Sequence, residues 1–263
     1  MRKHISIFII IFIVINIFHF TFLFNPLLAY DSKQLYTYSI VKKYPHSVED
    51  FTEGLFYENG IIYESTGLYG KSKMKKYKLG STESIKSYSL PVMYFGEGAV
   101  ILQDRVYQLT WKSRVGFIYN KNLELIGNFN YKTRGWGLTT DGEFLIMSDG
   151  TNKLYFLNPK TFKEEKIVEV YDSDAPVVNI NEMEYINGKI YANIFMTDFI
   201  AIIDSETGKV EGWIDLTGIL AKEDISTPVD VLNGIAYNTD SEHILVTGKY
   251  WPYIYEIELI KKN

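Results

Sequence analysis

The chain has 263 residues, 46% of them hydrophobic and 22% charged, with a formal charge of −5; it can bury a sizeable core and offers no basic surface for nucleic acid. It contains no cysteine, which excludes disulfides, thiolate catalysis and thiolate metal sites. Of its four histidines, His4 and His19 lie within the first twenty residues, which leaves too few for a histidine-rich zinc centre.

Arg2, Lys3 and His4 open the chain, an apolar run follows from Ile5 to Phe24, and Asn25, Pro26 and Leu27-Leu28-Ala29 come next. A basic start, an apolar stretch and a small residue at a cleavage point describe an export leader. The run is also long enough to span a bilayer as an uncleaved anchor. Residues 1–30 are therefore expected to be a signal peptide or N-terminal anchor. Residues 31–263 are expected to form one domain, secreted or held on the outer side of the cytoplasmic membrane and touching it only through the leader. Without residues 1–30 the charge is 25 − 32 = −7.

The rest of the chain is rich in strand-forming residues, with 21 Tyr and 16 Phe. Leu35 to Val41 alternates like a strand. Five segments with a common plan follow, beginning Thr52-Glu53-Gly54, Gly96-Glu97-Gly98, Gly135-Trp136-Gly137, Asn181-Glu182-Met183 and Leu232-Asn233-Gly234. Their third residues are separated by 44, 39, 46 and 51 positions. Each segment turns at a polar or glycine site, namely Asn59-Gly60, Gln103-Asp104, Asp141-Gly142, Asn187-Gly188 and Thr239-Asp240. Second hairpins turn at Asn120-Lys121-Asn122, Asn158-Pro159-Lys160 and Ser205-Glu206-Thr207-Gly208. Thr217 to Pro228 reads as an inserted loop with one helical turn. Short strands repeating at this period predict an all-β fold, a five-bladed β-propeller, against the alternative of a β-sandwich with coincidental spacing. The fifth unit is one strand short, and the strand at Leu35–Val41 is placed to complete that blade and close the ring.

In such a blade the start of the first strand lies beside the end of the second. The first position holds Glu53, Glu97, Trp136, Glu182 and Asn233 in the five units, and the second holds Gly67, Trp111, Asp149, Phe195 and Lys249. Both columns are expected to ring one mouth of a central channel. Carboxylates, indoles and an ammonium at repeat-equivalent positions suggest a small-molecule pocket. Asp149 and Glu182 are read as structural.

The segments Phe51-Thr52-Glu53-Gly54-Leu55, Tyr63 to Gly70, Phe95-Gly96-Glu97-Gly98, Gln108 to Trp111, Gly135 to Leu138, Asn181 to Tyr185 and Thr247-Gly248-Lys249 resemble the plant- and bacterial-type glutaminyl-peptide cyclotransferases. The resemblance runs from Tyr38 to Leu259. It implies a five-bladed propeller that cyclises an N-terminal glutamine of a peptide or protein to pyroglutamate with release of ammonia. It places the catalytic acid/base on Glu97, supported by Lys249 and Asn181, and the pocket aromatics on Phe51, Trp111 and Trp136. Two residues depart from the plant pattern: Glu53 stands where a glutamine is usual, and Phe195 where a tryptophan is. The first adds a carboxylate able to bind the substrate's α-ammonium or couple to Glu97, and the second enlarges the pocket. No cofactor is expected for the chemistry. The resemblance allows a structural calcium ion in the channel, whose ligands the sequence does not assign. The partners expected are peptides beginning with glutamine, and the protein is expected to be a monomer. Two rivals remain at this level, a non-catalytic peptide- or sugar-binding surface propeller and a metal-dependent hydrolase.

Overall fold

The computed structural model describes residues 34–262, so the leader expected at residues 1–30 lies outside the described residues. The chain separates into two units, residues 1–31 and 32–263, and only the second is described here. No helix among the described residues is long and apolar enough to cross a membrane.

The fold is all-β. Strand β1 (Gln34–Pro45) comes first, and three antiparallel four-stranded sheets follow. They are β2 (Thr52–Glu58), β3 (Ile61–Thr66), β4 (Lys73–Lys78) and β5 (Lys86–Ser89); β6 (Gly96–Leu102), β7 (Arg105–Thr110), β8 (Val115–Asn120) and β9 (Leu125–Asn130); and β10 (Leu138–Thr140), β11 (Leu145–Ser148), β12 (Lys153–Leu157) and β13 (Glu164–Glu169). A small hairpin, β14 (Tyr171–Asp172) and β15 (Ala175–Pro176), precedes the rest. The remaining strands are β16 (Ile180–Ile186), β17 (Lys189–Ile194), β18 (Phe199–Asp204), β19 (Val210–Asp215), β20 (Leu232–Asn238), β21 (His243–Gly248) and β22 (Tyr253–Lys261). They join through β1 into one eight-stranded sheet. Strand β1 runs antiparallel to β22, from Tyr36 opposite Lys261 to Pro45 opposite Tyr253, and its start pairs parallel with β19. The loop after β19 contains a single 3₁₀ turn, Lys222–Asp224.

Local chemistry accounts for the hairpins. Asn59-Gly60, Gln103-Asp104 and Asn187-Gly188 each place two successive residues at positive φ, the two-residue turn whose twist matches the flanking strands. The turns expected at Asp141-Gly142 and Thr239-Asp240 are four-residue loops instead, because β11 begins only at Leu145 and β21 only at His243.

Five separate apolar layers make the core. One packs the first sheet on the second (Phe56, Tyr63, Met74 with Val106, Phe117, Tyr119), and the next packs the second on the third (Leu109, Ile118, Phe129 with Leu145, Met147). The third sheet meets β16–β19 through Ile146, Leu154, Ile190 and Ile203. Strands β16–β19 meet β20–β22 through Ile200, Ile214, Ile235 and Val246. The fifth layer joins β20–β22 to the first sheet through Leu245, Ile254, Leu55 and Tyr77.

The first strands of the sheets, β2, β6, β10, β16 and β20, contact one another in sequence, and β20 returns to β2. Their approach is very close. A Cβ on Gly98 would fall 2.4 Å from the Leu138 nitrogen, and one on Gly137 would fall 2.0 Å from the Asn181 carbonyl oxygen. Both obstacles are backbone, so a neighbouring rotamer change cannot relieve them. Gly137→Ala is therefore expected to lower unfolding free energy by about 3 kcal/mol, the upper end for overpacking. Urea denaturation measures it, and an unchanged midpoint would mean that the inner strands can separate.

Candidate active site

The inner strands are not regular where they enter the sheets. Register shifts fall between Thr52 and Gly54, Gly96 and Ala99, Ile180 and Met183, and Leu232 and Ile235. A bulge at such a point re-aims side chains. The second strands end in hooks of their own. The residues that follow Gly67, Asp149, Phe195 and Lys249 all take positive φ, at 83° for Leu68, 82° for Gly150, 66° for Met196 and 63° for Tyr250. Bulges and hooks together deliver side chains to one mouth.

Phe51, Glu53, Glu97, Trp111, Trp136, Asn181, Phe195 and Lys249, the eight residues singled out from the sequence, line a single cavity of about 300 Å³ together with Phe95. That volume is at the small end for ligand pockets and suits one side chain rather than a folded peptide. Of the other rim positions, Gly67 packs under the Phe95 ring, which comes within 2.5 Å of where its Cβ would stand. Asn233 lies behind Glu53. Asp149 turns away into a cradle of Thr133, Thr151 and Tyr155. Glu182 points into the centre, where its two oxygens accept the N–H groups of Leu55 (3.1 Å) and Ile235 (2.7 Å).

The fourth repeat unit thus differs from the expected register by one residue. Its bulge contains both Asn181 and Glu182, so the amide reaches the cavity and the carboxyl the centre. Phe95 is the lining residue that the columns omitted, since it precedes β6 and belongs to neither. Its signal was the same as that of Phe51, an aromatic two residues before the inner-strand glutamate.

The polar groups form a short chain. Lys249 Nζ donates to Glu53 Oε1 at 2.8 Å and lies 4.4 Å from the centre of the Phe51 ring and 5.6 Å from that of Phe195. Asn233 Nδ2 donates to the Thr52 carbonyl at 2.9 Å and to Glu53 Oε2 at 3.3 Å, while its Oδ1 accepts from Asn181 Nδ2 at 2.9 Å. Trp136 and Phe195 meet edge to face at 5.6 Å, and Phe95 and Trp111 meet tilted at 5.8 Å.

Glu97 differs from its neighbours. Its side chain is buried, and no donor among the described residues reaches its carboxylate. Burial first, then the nearby Glu53 charge, holds its pKa well above the usual carboxylate range, while Lys249 pulls the other way. Burial also pushes Glu53 up to about 7 against the pull of Lys249. A carboxyl poised to gain or lose a proton, in an apolar cavity beside an ammonium, is equipped for acid/base work.

The channel carboxylates are poorly suited to calcium. Glu182 and Glu184 each already spend their oxygens on N–H and O–H donors. No step below is routed through a metal.

A family profile described as glutamine cyclotransferase matches residues 14–259. A glutaminyl-peptide cyclotransferase of Arabidopsis thaliana is 40% identical over 229 residues, which is 84% of this chain and 70% of that relative. The crystal structure of Myxococcus xanthus glutaminyl cyclase has a TM-score of 0.81 to this chain at 33% identity, covering 88% of this chain and 100% of that one.

The site has a consequence for stability. The native state keeps a proton on Glu53 up to a pH of about 7, whereas the unfolded chain releases it near 4.5. A raised carboxyl pKa means that the native state binds more protons in that window, so stability falls as pH rises from about 4.5 to 7 and then levels. Glu53→Gln should make that fall smaller, as read from urea unfolding at successive pH values. An unchanged slope would show Glu53 to be ionised throughout.

Proposed function

The chain belongs to the glutamine cyclotransferase family and acts as a glutaminyl-peptide cyclotransferase, and we propose that its aromatic mouth curls an N-terminal glutamine while Glu97 moves the proton. The observation that carries this assignment is the Glu97 carboxylate, buried at the cavity wall without a donor of its own among the described residues.

The α-amine attacks the γ-carbonyl carbon of its own side chain. The new N–C bond pushes the carbonyl electron pair onto oxygen, and Glu97 takes a proton from the attacking nitrogen. The oxyanion then collapses, the bond to the amide nitrogen breaks, and Glu97 returns its proton to that nitrogen. Ammonia and a five-membered lactam leave. Because the attack is intramolecular, holding the chain curled supplies much of the acceleration. Phe51, Trp111, Trp136 and Phe195 provide that clamp, and the same rings keep water from Glu97. Lys249, which spends one N–H on Glu53, and Asn181, which spends one on Asn233, keep further donors for the developing oxyanion.

We also read the five groups of strands as the blades of a five-bladed propeller, with β1 as the outer strand of the last blade. Five apolar layers that run from sheet to sheet and return to the first support that reading. The composition of residues 1–30 supports export, with the domain outside the cytoplasmic membrane.

Glu97→Gln should lower kcat for ammonia release from a glutamine-initiated peptide by roughly a hundred- to ten-thousandfold, with the fold intact by circular dichroism. Activity close to wild type would remove Glu97 from the chemistry. Chelator should leave the wild-type rate unchanged, and a rate that needs added metal would favour a Lewis-acid role. Glu53→Gln removes a charge that raises the Glu97 pKa and frees Lys249, which lowers it. The acid limb of the pH–rate profile should therefore move to lower pH, and a move to higher pH would mean that Glu53 itself is the base.

A further inference from the structure

The segment that carries Phe51 and Glu53 and the turn that carries Lys249 meet over a buried charge cluster that the proposed chemistry does not use. Glu64, on β3, sits at its centre with no solvent exposure. Its Oε1 accepts from Thr52 Oγ1 at 2.7 Å and lies 3.1 Å from His46 Nε2. Its Oε2 accepts from the Tyr77 hydroxyl at 2.8 Å and lies 3.2 Å from Lys75 Nζ. Lys75 also donates to Asp50. The second ring nitrogen of His46, Nδ1, lies 2.7 Å from the Trp251 carbonyl oxygen.

His46, Asp50 and Glu64 bring ligand-type atoms within 4.8 Å of one another, the spacing of a metal site. The place of a cation is nevertheless taken, since the Lys75 ammonium contacts both carboxylates. The state of the imidazole follows from its partners. One is a carbonyl and the other a carboxylate that receives three further donors, so both are acceptors only. Both ring nitrogens must carry hydrogen, and the ring is an imidazolium. Glu64 raises the proton affinity of His46 against the effect of burial, in the same sense. The groups that face the ring and its carboxylate are Glu64 from β3, Lys75 and Tyr77 from β4, and Asp50 and Thr52 at the entry to β2.

Three buried charges and the half-buried Asp50 are a poor way to gain stability, because apolar residues of similar volume do as well. They can, however, fix direction. Thr52, held by Glu64, immediately precedes Glu53. Asp50 immediately precedes Phe51, and its carbonyl accepts the Tyr250 N–H at 2.7 Å. His46 holds Trp251 by its carbonyl, and its own N–H donates to the Pro252 carbonyl at 2.8 Å. Tyr250, between Lys249 and Trp251, has φ of 63°, a backbone state that a tyrosine keeps only when its surroundings impose it.

We infer that His46 is a positioning residue for the cyclisation: its imidazolium ties the turn bearing Lys249 to the strand bearing Glu53 and so sets the ion pair at the mouth. The inference rests on the assignment of Lys249 to the γ-carbonyl oxygen. It makes His46 important to the rate through Lys249, without contact to the substrate.

Two substitutions separate the ring's two bonds. In His46→Asn the amide nitrogen stands where Nδ1 was and keeps the donor to Trp251, and in His46→Gln it stands where Nε2 was and keeps only the donor to Glu64. Each variant cuts the tie at one end, so both His46→Gln and His46→Asn should lower kcat about tenfold with KM little changed, measured below the unfolding transition of each variant. Loss of thermal stability with wild-type kcat in both would overturn the inference. Lys249→Met is measured alongside. If it keeps wild-type kcat, the reading of Lys249 fails, and the clamp is then judged by two readouts that need no turnover. Nitrogen NMR of the wild-type protein should show both His46 ring nitrogens protonated at pH 8, and amide exchange at Tyr250 should quicken in His46→Gln. A neutral ring, or unchanged exchange at Tyr250, overturns the clamp.

Discussion

The inner strands β2, β6, β10 and β16 converge until their backbones touch, and the rest of the structure follows from that contact. At Gly98 and Gly137 the neighbouring strand occupies the space that a Cβ would need. No side chain of ordinary size can stand between strands at that level, so the residues beside the glycines must project along the axis, toward the mouth or into the centre. The register shifts at the strand entries do that sorting. Where two residues share one shift, as Asn181 and Glu182 do, one side chain goes each way. A constraint of backbone packing thus produces both the polar centre and the functional rim.

Once side chains are forced into a channel that excludes water, each polar group must find a partner or change its protonation state. The solutions differ within a few ångströms. Glu182 takes backbone N–H groups from two other strands and links β16 to β2 and β20. Asp149 collects Thr133, Thr151 and Tyr155, and those donors hold its pKa below the usual value although burial acts against them. Glu97 is more deeply buried, faces the Glu53 charge and has no donor among the described residues, and its pKa rises. Two acids from one rim are driven in opposite directions, Glu97 up by burial and the Glu53 charge and Asp149 down by its hydrogen bonds. The one left without donors is the one that can exchange protons with a ligand.

Much of this was legible in the sequence because a repeat converts linear spacing into shared geometry. The steps between units fixed which residues lie at equivalent heights, and six side chains far apart in sequence, from Glu53 to Lys249, could be assigned to one mouth, while Phe51 and Asn181 came only from the family resemblance. The strand at Leu35–Val41 was readable from its alternation and from the strand missing in the last unit, although its parallel pairing with β19 was not. What escaped has a common cause. A one-residue bulge changes which way a side chain points without changing the pattern of residue types, so Glu182 was assigned to the rim column that Asn181 supplies. The cluster of His46, Asp50, Glu64 and Lys75 comes from the β1–β2 connection, β3 and β4, outside either column, and its members look individually like ordinary surface charges. Only tertiary structure shows that they are buried together.

The two departures from the plant pattern, Glu53 and Phe195, are coupled through Lys249. A lysine ammonium between two rings with no counter-charge would lose most of its hydration and recover only part of it from the π faces. Here the ammonium lies 4.4 Å from the Phe51 centroid and 5.6 Å from that of Phe195, and Glu53 accepts one of its protons at 2.8 Å. The carboxylate therefore compensates the cation directly, and Asn233 holds that carboxylate from behind. Phe195 is smaller than the indole of the plant pattern, yet it still reaches both the Trp136 edge and the lysine. The mouth that results has a single ion pair against one wall and the unpaired Glu97 in another. In the proposed reaction, a glutamine side chain between them would meet a donor for its oxygen on one side and a proton carrier for its nitrogens on the other, the asymmetry that expulsion of ammonia requires.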